Sequence, residues 1–402
     1  MKRRRVKITG IGPVTPAGIG RDEFWRGILE PVSRVRPFGK LGEEYGPLVA
    51  AFIEDFDIRK YIDKTLIPKG ASRQTLFAVA ATILALQDAG IGHDELRKTS
   101  CAVVNGSSLM DFGAIVSSMD SIYKHGLRGA KPRNLYTTSS ASTPRAINEV
   151  LGITARTMAM QSTCCGGIDA IGYAARLVAD GEADIALCGS TEAPLHRSPL
   201  LELRAAGLTP PTTEMPERLD RPFDLWRTTG VISEGACMFV VEPEESPRPG
   251  YSYVSGYAFA NDAKDDLCGG LGVAIKMALA DAMVRPNQVE AINAWGPGHK
   301  LIDAAEARVL AQVFGPLLAE IPVVSIKGSI GTPLGAAPAI QVAAASLAQR
   351  HGRIPPTVNW EHPDPSCLLN LSNSCRSVAH SCTVIDAHGL GGLNASLILE
   401  RC

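Results

Sequence analysis

The feature that most limits the folds open to this chain is an alternation of strand-like and helix-like segments that runs through it twice. The first run reads as strand at 6–11, a largely buried helix at 73–89 (RQTLFAVAATILALQDA) and a short strand at 101–104. A strand-like approach at 157–163, a helix at 168–179 and strands at 185–188 and 235–241 complete it. After SPRPG at 246–250 the pattern restarts, with strand at 253–257, helix at 271–283, strand at 289–294 and helix at 304–313. It ends with strand at 323–326, helix at 339–349 and two strands at 382–386 and 395–399. Such alternation predicts a layered α/β fold. Both runs close on a strand pair, so the chain reads as two similar units, 1–250 and 251–402, the first with larger insertions. The stretch 209–229, rich in Pro, Thr and Arg, is a long connection and a candidate functional loop.

The 402 residues are enough to bury a substantial core, and the formal charge of -1 gives no basis for nucleic-acid binding. MKRRR runs directly into the strand-like VKITGIG, without the apolar core of a signal peptide. No apolar run approaches the roughly 20 residues needed to cross a bilayer. A soluble, cytoplasmic protein with no membrane partner is expected. The ten cysteines are scattered, without the paired spacing of a metal site and without the setting of a disulfide framework. Most are expected to be small buried hydrophobes.

Two of them stand apart. Residues 161–170 read QSTCCGGIDA, a strand-like approach that stops at adjacent cysteines and two glycines before a helix. The first turn of a helix has unpaired N–H groups and the positive end of the dipole, which favour a thiolate. Cys164 falls at the junction, and Cys165 is expected to turn away and pack. Gly166 and Gly167 would permit a sharp turn and close approach of a substrate. On this string alone, two core cysteines beside a turn is an equally good reading. Three glycine-rich strings, NAWGPGH at 293–299, KGSIGTPLGAA at 327–337 and DAHGLGGLNAS at 386–396, each follow a strand-like segment. Loops after strands gather on one edge of an α/β sheet, so these are expected to converge with the cysteine turn on one pocket.

These blocks, with LDRPFD, SEGA, DAAEARVLAQVFG and IPPTVNWEHPDP in the same order, resemble the β-ketoacyl-ACP synthases of the thiolase superfamily over essentially the whole chain. The resemblance implies a thiolase-like fold with a duplicated five-layered α-β-α-β-α core and dimerisation through the first half. It implies acyl groups delivered as thioesters on the phosphopantetheine of an acyl carrier protein or on CoA, with no permanently bound cofactor and no metal. It gives the acyl-accepting role to Cys164, the oxyanion-holding N–H groups to Cys164 and Leu390, and the family lysine, acid and asparagine to Lys327, Glu306 and Asn394.

The departures from the family pattern bear on function. Trp295 stands where the family has the histidine of NAHGT, and Thr332 where it has the histidine of TGH. That pair binds the malonyl thioester carbonyl and supports loss of CO2. Tryptophan is a single donor and threonine carries no positive charge near neutral pH, so decarboxylative condensation is expected to be severely impaired. Gly230 and Leu390 replace two gating phenylalanines, which widens the pocket or leaves it to Trp226 or Trp295. His299 reads as a solvated loop residue. His388, at a family phenylalanine, reads as either a structural histidine or a substitute base.

Three functions stay open. The first is a partner subunit like the chain-length factors of type II polyketide systems, in a heterodimer with an active ketosynthase (or a homodimer), although those proteins commonly carry glutamine in place of the cysteine. The second is an acyltransferase that works through Cys164 without decarboxylation. The third is an atypical active ketosynthase using Trp295 or His388.

Overall fold

In the computed structural model, residues 4–39 and 48–402 are described. The first unit contributes β1 (Val6–Thr15), β2 (Cys101–Ser107), β3 (Arg156–Gln161), β4 (Ile185–Glu192) and β5 (Gly235–Pro243), side by side in the order β3-β2-β4-β5-β1. The second contributes β6 (Ser252–Asn261), β7 (Ala291–Asn293), β8 (Val323–Val324), β9 (Cys382–Gly389) and β10 (Leu393–Arg401), in the order β8-β7-β9-β10-β6. The two orders are the same. So are the directions: the first three strands in each order are mutually parallel, and the last two joints antiparallel. Two units without obvious residue identity thus share one topology. An antiparallel pairing of Lys7 with Tyr253 joins β1 to β6, making one continuous sheet path.

The helices sort into three layers by composition. Helix α1 (Arg73–Ala89) covers the outer face of β1 and β5, capped by Ser72 at its start and ended by Gly90 in the left-handed region. Helix α2 (Gly166–Ala179) and helix α5 (Ala337–His351) lie between the units. Helix α2 touches β2 and β4 on one side and β6 and β10 on the other, while α5 packs on α2, β5 and β9. A helix enclosed by two sheets must be apolar all round, and every residue of α5 from Ala337 to Gln349 is buried. Helix α3 (Gly269–Ala282) covers β6 and β10, with α4 (Lys300–Phe314) packed on it. The result is the α-β-α-β-α layering of a thiolase-like fold.

The strands expected at 289–294 and 323–326 are shorter, because their ends bend into loops. Ser325 leaves the sheet to donate its N–H to Thr357 Oγ1 and its hydroxyl to the Gly296 carbonyl. The long connection 209–229 has little regular structure but is held by buried charges. The Asp224 carboxylate accepts N–H groups from Trp226, Glu361 and His362 and pairs with Arg221. Arg227 binds Asp364 and the Asp224 and Lys300 carbonyls. This anchoring ties LDRPFD to WEHPDP and to the start of α4. All ten cysteines are free, and most are buried.

Candidate active site

Strand β3 ends at Gln161, a tight 3-10 turn occupies Thr163–Cys165, and α2 begins at Gly166. The bend is made by Thr163, whose φ of 49° is the left-handed region that a β-branched residue avoids. The expectation that the glycines make the turn is corrected here: Gly166 has an ordinary helical φ of -50°. What the glycines supply is closeness. A Cβ on Gly106 would run into the Gly166 carbonyl, and one on Gly167 would lie 2.7 Å from both Ala339 N and Ser190 Oγ. Helix α2 can therefore settle against β2, β4 and the start of α5.

Cys164 opens onto a cavity of about 70 Å³. The loops after β7 and β8 and the end of β9 with the loop after it do converge there: Trp295, Thr332, His388 and Leu390 share the wall with Cys164 and Gly230. The Leu390 backbone N–H is directed at the Cys164 sulfur and favours its charged form. Cys165 faces the other way, its thiol against the Ala387 and Leu393 carbonyls.

The thiol is not the activated group that a helix N-terminus suggests. Cys164 is only 4% exposed. Burial pushes its pKa up to about 11, opposed by a hydrogen bond from Ser108, raised further by Glu192, and lowered again by the Leu390 N–H and by Lys327. Desolvation outweighs the dipole. Ser108 Oγ lies 3.8 Å from the sulfur. Glu192, fully buried, accepts N–H groups from Ser108, Leu109 and Gly335, and its own pKa is pushed up to about 8 by burial. Sequence reading missed both residues. For Ser108, the polar pair Ser107-Ser108 at the end of β2 was the available signal.

Lys327, Glu306 and Asn394 stand behind the wall rather than on it. The expectation of Glu306 and Asn394 as pocket residues is corrected: they hold the pocket's lining in place. Glu306 accepts the Trp295 and Gly296 N–H groups, each at 2.8 Å, and Asp386 accepts the Trp295 N–H as well at 2.7 Å. The two buried carboxyls meet: burial pushes both pKa values up, Glu306 further by the Asp386 charge, while Asp386 is pulled back by its hydrogen bond with Glu306, by the Trp295 N–H and by Lys327. Fully buried Lys327 lies over the Trp295 ring, its Nζ 4.4 Å from the centroid and 3.5 Å from the Ala294 carbonyl. Burial lowers its pKa to about 7, against the pull of Glu306, Asp386, Asp220 and Asp303. Trp295 thus separates the lysine from the cavity.

Two imidazoles line the cavity with opposite hydrogen-bonding character. The Asn394 amide nitrogen donates to Asp262 Oδ1 and the Gly392 carbonyl, both at 2.8 Å, which leaves Asn394 Oδ1 as acceptor. His388 Nδ1, 2.8 Å from that oxygen, must carry the proton, so neutral His388 keeps a lone pair on Nε2. His299 is the reverse. It is not a solvated loop residue, because its Nδ1 caps α4 by accepting the Leu301 and Ile302 N–H groups. Its proton therefore sits on Nε2, and burial together with Arg227 lowers its pKa, keeping it neutral. Trp226 does not fill the gate, being 65% exposed and edge-on to His362. Trp295, 3% exposed, lies on the cavity wall with Gly230 and Leu390.

The sequence matches the N-terminal domain of β-ketoacyl synthases over residues 3–246 and their C-terminal domain over 251–361. The chain belongs to the β-ketoacyl synthase family. This β-ketoacyl synthase relative is 29% identical to the 3-oxoacyl-[acyl-carrier-protein] synthase 2 of Coxiella burnetii, over 100% of this chain and 99% of the other. It is 31% identical to a putative polyketide β-ketoacyl synthase 1 of Streptomyces cyaneus, over 98% of each. It is 30% identical to the tetracenomycin polyketide synthase ketoacyl synthase alpha subunit of Streptomyces glaucescens, over 99% and 97%. Among solved structures it resembles the ishigamide ketosynthase/chain length factor, with a TM-score of 0.91 and 28% identity over 100% of both chains. A type II PKS acyl-carrier protein in complex with its ketosynthase, bound to the hexaketide, matches with a TM-score of 0.88 and 25% identity, again over 100% of both. No helix among the described residues is long and apolar enough to cross a membrane.

Proposed function

We propose that this chain is a ketosynthase-like subunit of a type II polyketide or fatty-acid synthase that works beside a histidine-complete ketosynthase, in the manner of a chain-length factor. One observation carries the reading: Trp295 and Thr332 line the cavity at the two positions where the family has its decarboxylation histidines. Condensation needs donors on the thioester carbonyl as negative charge develops there. A neutral His388 does not restore them, since its one proton is committed to Asn394 and its Nε2 is an acceptor. His299 offers one donor, where the family uses a pair. The edge strand β3 supports pairing with a partner, because its other edge is open and its outer residues, Met158 among them, are exposed. The solved relatives that include a chain length factor and an acyl carrier protein suggest the same company for this chain.

A second reading, acyl transfer through Cys164, is favoured by the Leu390 N–H directed at the sulfur. There the Cys164 proton passes to His388 Nε2 and the sulfur attacks the carrier thioester carbonyl. The oxyanion rests on the Cys164 and Leu390 N–H groups, the bond to the pantetheine sulfur breaks, and that thiolate takes the proton back from His388. No decarboxylation is involved.

Co-expression with a histidine-complete ketosynthase of the same pathway, read by native mass spectrometry, tests the first reading. A 1:1 heterodimer is expected, and an acyl-loaded carrier protein should leave Cys164 largely unmodified. A chain that stays monomeric beside the synthase contradicts this, and rapid addition of one acyl mass at Cys164 favours the second reading.

A further inference from the structure

The cavity beside Cys164 is smaller than the residues on its wall suggest. At four wall positions this chain carries a smaller residue than the family does: Gly230, His388 and Leu390 stand for phenylalanines and Thr332 for a histidine. Yet the volume is only about 70 Å³. A cavity of about 150 Å³ holds benzene, about 25 Å³ for each non-hydrogen atom, so about three such atoms fit here. That is the size of an acetyl group.

Part of the reason is backbone. A Cβ on Gly230 would lie 2.3 Å from the Pro297 carbonyl oxygen, so the missing aromatic ring leaves no hole there. The rest is Trp295, the one wall position at which the family residue is replaced by a larger one, an indole for an imidazole. Its place is fixed. Its N–H is held by Glu306 and Asp386, and its ring lies over Lys327 Nζ, 4.4 Å from the centroid. Swinging the ring aside would turn that buried amine toward a wall made largely of Leu203, Leu208, Ile232 and Leu334, which is costly. An indole is larger than benzene, so this one ring takes up more room than the whole cavity now offers.

We propose that Trp295 sets the acyl length this cavity accepts: with the indole in place an acetyl-sized group fits beside Cys164, and butanoyl or longer chains do not. The proposal rests on the reading that acyl groups reach Cys164, so it is tested with reagents that carry no thioester.

Alkyl methanethiosulfonates of graded length serve on the full chain. The Cys164 thiolate attacks the reagent's divalent sulfur, an S–S bond forms and methanesulfinate leaves, so methyl and butyl reagents differ only in the group they place in the cavity. Exposed Cys402, its pKa likewise pushed up to about 11, is the internal reference. Peptide mapping at pH 9 gives both rates. Relative to Cys402, the butyl reagent should modify Cys164 about 10- to 100-fold more slowly than the methyl reagent, the range for forcing extra methylenes into a filled space. Trp295→Ala should bring that ratio to within about threefold of the ratio at Cys402. Trp295→Leu, which keeps the position apolar if the alanine protein does not fold, should close part of the gap. Losing the ring also changes the polarity around the thiol, so the ratio is read and not either rate alone. Equal methyl and butyl rates in the unaltered chain, or a discrimination that survives in a folded Trp295 variant, overturn the proposal. Incubation with acetyl-loaded carrier protein reports separately on acyl entry: no acetyl adduct at Cys164 beside an intact methyl-to-butyl ratio rejects that reading and leaves the size limit standing.

Discussion

Iodoacetamide should alkylate Cys164 about a thousandfold faster at pH 10 than at pH 7, climbing about tenfold per pH unit without a plateau. The reactive species is the thiolate, and with the pKa near 11 its population rises in proportion to hydroxide across that whole range. A cysteine activated below neutrality would already be ionised at pH 7 and its rate would be flat. The first cause of the high value is burial: Cys164 is 4% exposed, and the charged form loses more solvation than the N-terminus of α2 returns. Glu192 adds to the effect, while Ser108, the Leu390 N–H and Lys327 reduce it. Peptide mapping separates Cys164 from the exposed Cys402. A pH-independent rate between 7 and 9 would mean that the thiol is poised for catalysis in the resting chain.

Replacing Glu306 should have the largest effect on stability. Glu306→Ala is expected to cost about 3–5 kcal/mol, the range for removing one partner of a buried charged cluster. The Gly296 N–H loses its acceptor, the Trp295 N–H keeps only Asp386, and Asp386 loses its hydrogen bond with Glu306. Lys327 is left with one fewer carboxyl beside it. Glu306→Gln keeps the volume but turns an amide N–H toward one of two backbone donors, which costs about 1–3 kcal/mol. Thermal or urea denaturation reads both, and an alanine variant as stable as the parent would show that the cluster does not hold the Trp295 loop.

The double strand–helix alternation was legible because layer position dictates composition: a helix such as α5, enclosed between sheets, has to be apolar on every face. The cysteine turn was legible for a similar reason, since strand, small residues and helix follow one another within ten positions. The roles of Glu306, Asn394 and His299 were not. Each is set by which backbone group a side chain meets, and a string that reads DAAE or GGLNAS does not say which way its carboxyl or amide faces. His299 looks like a solvated loop residue until the start of α4 is seen to fall at Lys300, which turns it into a cap. The raised pKa of Cys164 was hidden too, because the sequence displays the helix N-terminus but not the burial around the thiol. Likewise, two glycines beside a nucleophile suggest a turn, whereas the strain falls on Thr163 and the glycines serve the packing of α2.

In the proposed function this chain keeps the acyl cavity of a ketosynthase while lacking its decarboxylation chemistry. Incubating the chain alone with acyl-loaded and malonyl-loaded carrier protein, and following CO2 release together with ketoacyl product by mass spectrometry, tests it most directly. Negligible release and no ketoacyl product are expected, because Trp295 and Thr332 cannot replace two imidazoles and His388 presents an acceptor. Robust, Cys164-dependent ketoacyl formation by the isolated chain would contradict the account and make His388 a catalytic residue.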